Sequence, residues 1–233
     1  MGFYDYHAHT ENIGETIKTA KQLGFSGICL ATNWTNPSDL QNFKKQVQEF
    51  KITDAKEIDI AVGVEIKDKP NKIPELVNKI RKEADVILVH GGDLEVNRVS
   101  AETPEIDILL HSELGREDSG IDHTMARLAK KNNVSIEFSL SDLIQSSKVS
   151  RAKLLHSLME NAKLVRKYKA PFVLTSGAFD APGLRSPSEL LSFGRVLGFQ
   201  DPEIKKSLSD HLVKENRKRL SGKWVMPGVE VVD

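Results

Sequence analysis

Short apolar, β-branched runs alternate along this chain with longer amphipathic stretches. The apolar runs fall at residues 2–6, 27–31, 59–65, 86–90, 106–110, 134–138 and 172–174, and each suits a buried strand. Between them the spacing becomes helical. Ile13, Ile17, Ala20 and Leu23 share one face, and Gly24 is placed to end that helix. Leu40, Phe43, Val47 and Phe50 repeat the pattern. Pro74 opens a third helix carrying Leu76, Val77 and Ile80, since proline suits a first helical turn. Met125, Leu128 and Ala129 precede the sixth strand, and Leu154, Leu155, Leu158, Ala162 and Val165 mark a longer helix. About seven strand–helix alternations predict parallel strands with helices outside. That count favours a closed, distorted TIM-barrel-like (β/α) barrel over an open sheet. Residues 201–220 read as a basic helical stretch, and periodicity is lost from Ser221. We therefore expect one barrel domain over residues 1–220 and an extended tail over 221–233.

Composition narrows the class without naming a function. The chain has 233 residues, 39 % apolar and 28 % charged, which is enough for a core in a soluble protein. No apolar run approaches a membrane span and no secretory signal is visible, so a cytoplasmic protein is expected. Cys29 is the single cysteine, which excludes an intrachain disulfide; set in an apolar run, it reads as a small buried hydrophobe. Net charge is zero but unevenly spread. Residues 1–120 hold 14 Lys/Arg against 21 Asp/Glu, whereas residues 121–233 hold 19 against 12. Such a field suits a polyanion on one side, and equally an ordinary basic helical surface.

Candidate chemistry collects at the strand ends, where barrels of this kind place function. The first strand leads into His7 and His9, the second into Thr32-Asn33-Trp34 and the third into Glu65. The fourth ends at His90, the fifth at His111 and the sixth near Glu137. The seventh ends at Ser176-Gly177-Ala178-Phe179. Four of the seven histidines thus fall at one rim with two glutamates. In a strand, residues i and i+2 share a face, so His7 and His9 would point into one site. Imidazoles with carboxylates suit Zn²⁺, Mn²⁺ or Fe²⁺, which could activate water for phosphoester hydrolysis.

These residues resemble the polymerase-and-histidinol-phosphatase barrels, which are metal-dependent phosphoesterases. His7, His9, Glu65, His90 and His111 match that pattern. Asn33, Trp34, Gly177 and Phe179 stand where it has metal ligands, and none of the four can supply an equivalent donor. A bridged multi-metal centre is not expected. Two readings stay open: a weak single ion on His7, His9 and Glu65, or a hydrogen-bonded remnant that also includes His90 and His111.

A closer resemblance runs through residues 1–200. Phe3-Tyr4-Asp5, Asn97-Arg98, Ile106-Asp107-Ile108-Leu109 and Ser176-Gly177-Ala178 are similar to the ribonuclease P protein component 3 family, as are Leu184-Arg185-Ser186-Pro187 and Gly194…Leu197-Gly198. The most specific block is Asp118-Ser119-Gly120-Ile121-Asp122-His123, followed by Leu128-Ala129-Lys130-Lys131-Asn132-Asn133-Val134 and Ile136-Glu137. The compact length resembles the archaeal members. The resemblance implies a non-catalytic subunit of the endoribonuclease that removes the 5′ leader of precursor tRNA. Its RNA performs hydrolysis with Mg²⁺, and no cofactor is implied on the protein. The implied partners are the ribonuclease P RNA, component 2 in two copies of each, the other ribonuclease P proteins, and precursor tRNA indirectly. The alternative is a metal-dependent phosphoesterase.

RNA contacts of that kind go mainly to phosphate and sugar, so Lys and Arg should carry them. Arg98 and Arg185 come first because both follow strand ends within matching blocks, and Arg116 and His123 lie in the specific block. Lys163, Arg166 and Lys167 form one basic helical face, and Lys214, Arg217 and Lys218 form another. No interleaved aromatic pattern announces sequence-specific base stacking.

Overall fold

The computed structural model describes residues 2–53, 57–221, 224–226 and 229–230. Seven parallel strands run in sequence order around a barrel: β1 (Tyr4–Ala8), β2 (Gly27–Asn33), β3 (Asp59–Ile66), β4 (Val86–His90), β5 (Ile108–Leu110), β6 (Ser135–Ser139) and β7 (Phe172–Thr175). The helices cover the outside. The first five are α1 (Ile13–Leu23), α2 (Pro37–Thr53), α3 (Ile73–Ile80), α4 (Leu94–Glu102) and α5 (His123–Asn132). Then come α6 (Leu140–Gln145), α7 (Lys148–Tyr168), α8 (Pro187–Val196), α9 (Asp201–Ser207) and α10 (His211–Leu220). The tail forms a short antiparallel pair, β8 (Trp224–Met226) with β9 (Val229–Glu230).

Two apolar layers hold the barrel. Outward-facing strand residues such as Ile28, Leu30, Ile60, Val62, Ile136 and Phe138 pack under the helices. Inward-facing Tyr4, Tyr6, Cys29, Ala31, Ala61, Leu88, Ile108 and Val173 fill the lumen. Cys29 is buried and unpaired, as its apolar surroundings predict. The period of two then fixes the mouth. Ala61 faces the lumen, so Gly63 and Glu65 do too; Leu88 puts His90 there, and Val173 puts Thr175 there.

The barrel closes unevenly. At the mouth, Ala8 bridges Ala178, and the His9 amide donates to the Ala178 carbonyl at 2.7 Å. At the opposite end no eighth strand among the described residues fills the gap between β7 and β1. Instead the break between α9 and α10 comes in: the Tyr4 amide donates to the Leu208 carbonyl and the Tyr6 hydroxyl to the Ser209 carbonyl, each at 2.6 Å. The basic stretch 201–220 is thus two helices, because the carbonyls at its centre are spent on β1. β1 also begins later than its apolar run suggests. The Phe3 carbonyl is occupied by the amides of Ser26 and Gly27, and the strand extends through His7.

Candidate functional site: the barrel mouth and a basic flank

The mouth is a set of histidine–carboxylate pairs. The register of β1 on β2 shifts between Asp5 and Ala8, which lets His7 reach the lumen although Tyr4 and Tyr6 also face it. His7 Nδ1 lies 2.7 Å from Glu137 Oε1, and Thr175 Oγ1 donates to that same oxygen at 2.6 Å. Glu65 serves two histidines at once: His9 Nε2 meets Oε2 and His90 Nδ1 meets Oε1, both at 2.7 Å. His111 Nδ1 pairs with Asp142 Oδ2 at 2.6 Å. The structure therefore brings His7, His9, Glu65, His90 and His111 into one constellation and adds Glu137 and Asp142 as their acids. Asp142, on α6, carries no marker in the sequence.

Charge follows from this pairing. Burial alone would raise the Glu65 carboxyl, but His7, with Nε2 3.8 Å from Oε2, and the bonds from His9 and His90 hold it well below the usual carboxylate range. Burial would likewise lower His7; Glu137 and Glu65 outweigh it and raise its pKa to about 10. His111 is raised, with Asp142 and Glu137 overcoming its burial. Asp5, wholly buried, is pushed up to about 6 by desolvation although it accepts the amides of His7 and Ser176.

Among the described residues two triads could hold an ion: His7, His9 and Glu65, or His7, His111 and Glu137. In each, the ligand atoms lie within 4.8 Å of one another. His7 Nε2 and Glu137 Oε2 are buried without a hydrogen-bond partner. The other positions do not extend either set. Phe179 is 58 % exposed and stacks on the His9 ring at 6.1 Å, covering it without a donor. Trp34 packs beneath Lys79. Gly177 has φ 59°, and a Cβ there would lie 2.2 Å from Ser139 Oγ, so this turn excludes a ligating side chain. Trp34, Gly177 and Phe179 thus add no donor to either triad.

Beside the mouth, the loop joining β5 to α5 is held from two sides. Buried Asn97 of α4 donates to the carbonyls of Ser112 (2.8 Å) and Gly120 (2.9 Å) and accepts the Gly92 amide. Asn161 of α7 donates to the Ser119 carbonyl at 2.7 Å. This loop carries Arg116, which grips Asp118 through two nitrogens and reaches the Gly92 carbonyl. Arg98 stands exposed on α4, paired with Glu102, and the field of Asp122 reaches it. Asp122 caps α5, whose first residue is the exposed His123. The fold thus gathers Arg98, Arg116 and His123 on one flank.

Lys163 and Lys167 lie on α7, which packs against α5. Between the two helices Tyr168 carries Arg127 over its ring at 5.1 Å and Lys167 at 5.4 Å. Arg127 extends this flank and was not singled out from the sequence, although its i+4 spacing from His123 was the available signal. Two candidates fall elsewhere. Arg185 sits half-buried at the β7 end of the mouth, its guanidinium on the carbonyls of Pro182 and Leu184. Arg217 is engaged inside the molecule: it bonds Asp59 through both carboxylate oxygens (2.9 and 2.8 Å), Asp85 at 3.0 Å and the Ile60 carbonyl at 3.1 Å. It staples α10 to the starts of β3 and β4, so its charge is already matched.

Against this geometry, residues 2–220 match the family model for RNase P subunit p30. The chain belongs to the RNase P subunit p30 family. It is 35 % identical over 240 residues to ribonuclease P protein component 3 of Methanosarcina mazei, covering 99 % of this chain and 96 % of that one. It is 34 % identical over 223 residues to the Methanococcus maripaludis component 3, covering 94 % of each. Among solved structures it is similar to a chain in the cryo-EM structure of archaeal ribonuclease P with mature tRNA. That match has TM-score 0.85 and 27 % identity and covers 98 % of both chains. Membership makes this chain a protein subunit of ribonuclease P, an endoribonuclease, and weighs against a free-standing phosphoesterase. No helix among the described residues is long and apolar enough to cross a membrane.

Proposed function

We propose that this ribonuclease P subunit braces the RNA rather than performing hydrolysis. In this reading the RNA removes the 5′ leader of precursor tRNA with Mg²⁺, in the cytoplasm. The protein, joined by component 2 in two copies of each and by the other protein subunits, stabilises the active RNA fold by binding it better than its alternatives. Phosphate neutralisation by Arg98, Arg116, His123, Lys163, Lys167 and Arg185 would supply that preference and lower the Mg²⁺ demand. The observation that carries the reading is family membership over residues 2–220, combined with a mouth whose acids are engaged by the protein's own histidines.

Reconstitution with the RNA, component 2 and the remaining protein subunits, over a Mg²⁺ titration, tests this. Cleavage should persist at Mg²⁺ levels where the RNA alone fails, and a wild-type chain that gives no such gain removes the proposal. The mouth is tested separately with the isolated chain on generic phosphodiesters with added Mn²⁺ or Zn²⁺. Turnover lost on His7→Ala would revive the phosphoesterase reading.

A further inference from the structure

The end of the barrel opposite the mouth holds a cavity of about 420 Å³, within the usual range for a small-ligand site. It opens at the unfilled β1–β7 seam, between Tyr6 and Phe172. The last turns of α5 and α7 and the α9–α10 break wall it. One wall is flat and aromatic: the half-buried Phe172 ring stacks on Phe199 at 3.9 Å. The rim is cationic. Lys130, Lys169 and Lys206 are exposed, and their amines have no partner among the described residues. The lining acids offset this only in part. The Asp107 charge is matched by Arg81, whereas Glu203, which accepts the Gln200 amide, and Glu215 keep theirs against the three lysines and Arg166.

We propose that this cavity seats one unstacked nucleotide of a single-stranded RNA segment. Its base lies against Phe172, and its flanking phosphates lie on Lys130, Lys169 and Lys206. The proposal rests on the RNA-bracing reading and adds a site to it. An RNA occupant is favoured over a protein segment by continuity of charge. The cations run on from the cavity along α5 through Lys131 and Arg127 and along α7 through Lys167 and Lys163. A track longer than the cavity fits a polymer charged at every unit better than one acidic side chain. Every base has a π-face to offer the ring, so binding here should be tolerant of sequence.

The test uses the full-length chain and a short labelled oligouridylate, read by fluorescence anisotropy against salt. The Lys130→Ala/Lys169→Ala/Lys206→Ala variant should bind roughly tenfold more weakly and flatten the slope of log K against log salt by about two. An abasic position in the oligonucleotide should weaken binding to the wild type but not further weaken the triple variant. A 4-thiouridine probe should crosslink to the Phe172 segment, and Phe172→Leu should remove that crosslink while keeping the salt slope. Unchanged affinity in the triple variant overturns the proposal. So does a triple variant that keeps RNA affinity but loses a protein subunit in the reconstituted enzyme, since the cavity is then a protein-docking site. The two proposals fail separately: a wild-type chain that lowers the Mg²⁺ demand, beside a triple variant that does so equally, removes the nucleotide seat alone.

Discussion

A carboxyl group taken out of water is stable when paired or when neutral, and the mouth contains both kinds. Glu65 and Glu137 are paired, each held below the usual range by histidines. Glu113, two residues after His111, is buried with one bond from Ser112, and desolvation pushes it up to about 7. Its folded pKa exceeds its unfolded value, so its contribution is fully present below about 4.5 and is lost as pH rises through about 7. Glu113→Gln removes that penalty. The variant should match the wild type in urea unfolding at pH 4.5 and exceed it by up to about 3 kcal/mol at pH 8. Equal differences at the two pH values would show that Glu113 stays ionised. The histidines were visible in the sequence because period-two strands end at them. Their acids were less so: Glu137 shares the parity of its strand, whereas Asp142 arrives from a six-residue helix with no periodic signal. His111 is set apart by its backbone, with φ 48° at a non-glycine residue, a feature that residue type alone does not announce.

Among the elements, the β5–α5 loop shows how irregular chain becomes a fixed presenter of charge. Asn97 satisfies two carbonyls and one amide from a buried position, replacing bonds that a strand or helix would supply. Asn97→Ala should cost roughly 3 kcal/mol by leaving those groups unpaired. Hydrogen exchange of residues 111–122 should rise well before global unfolding, and unchanged protection there would place the loop's support elsewhere. Arg98 and Arg217 make a second contrast between elements. Arg98→Ala should leave stability nearly unchanged and reduce the salt slope of RNA binding by about one. Arg217→Ala should lower stability by about 2 kcal/mol, stranding Asp59 and Asp85, with RNA affinity intact. The opposite pattern would exchange their roles. Helical spacing alone marked Arg217 as a surface cation, because the partners that claim it lie about 130 and 158 residues away and leave no local trace.

For the molecule as a whole, the seven parallel strands and the gathering of His7, His9, Glu65, His90 and His111 at one rim were legible from local patterning, whereas the β1 register shift that turns His7 inward beside Tyr6 was not. Nor was closure, because it joins the two ends of the chain. The backbone edge of β1 is met by Ala178 at the mouth and by Leu208 at the far end, while its side chains reach on, the Asp5 carboxylate to the Ser176 amide and the Tyr6 hydroxyl to the Ser209 carbonyl 203 residues away. That feature sets a schedule for folding. During synthesis β1 emerges first, yet its outer edge has no partner until nearly the whole barrel has left the ribosome. Until then it is an unpaired, apolar strand of the kind that recruits other chains. A chain ending at residue 200 should therefore be recovered mainly as aggregate, whereas one ending at residue 221 should be monodisperse by size-exclusion chromatography. If the shorter chain stays monomeric and binds RNA, β1 has found another cover. The seam through which the barrel admits its last segment is thus also the edge a nascent chain leaves open longest.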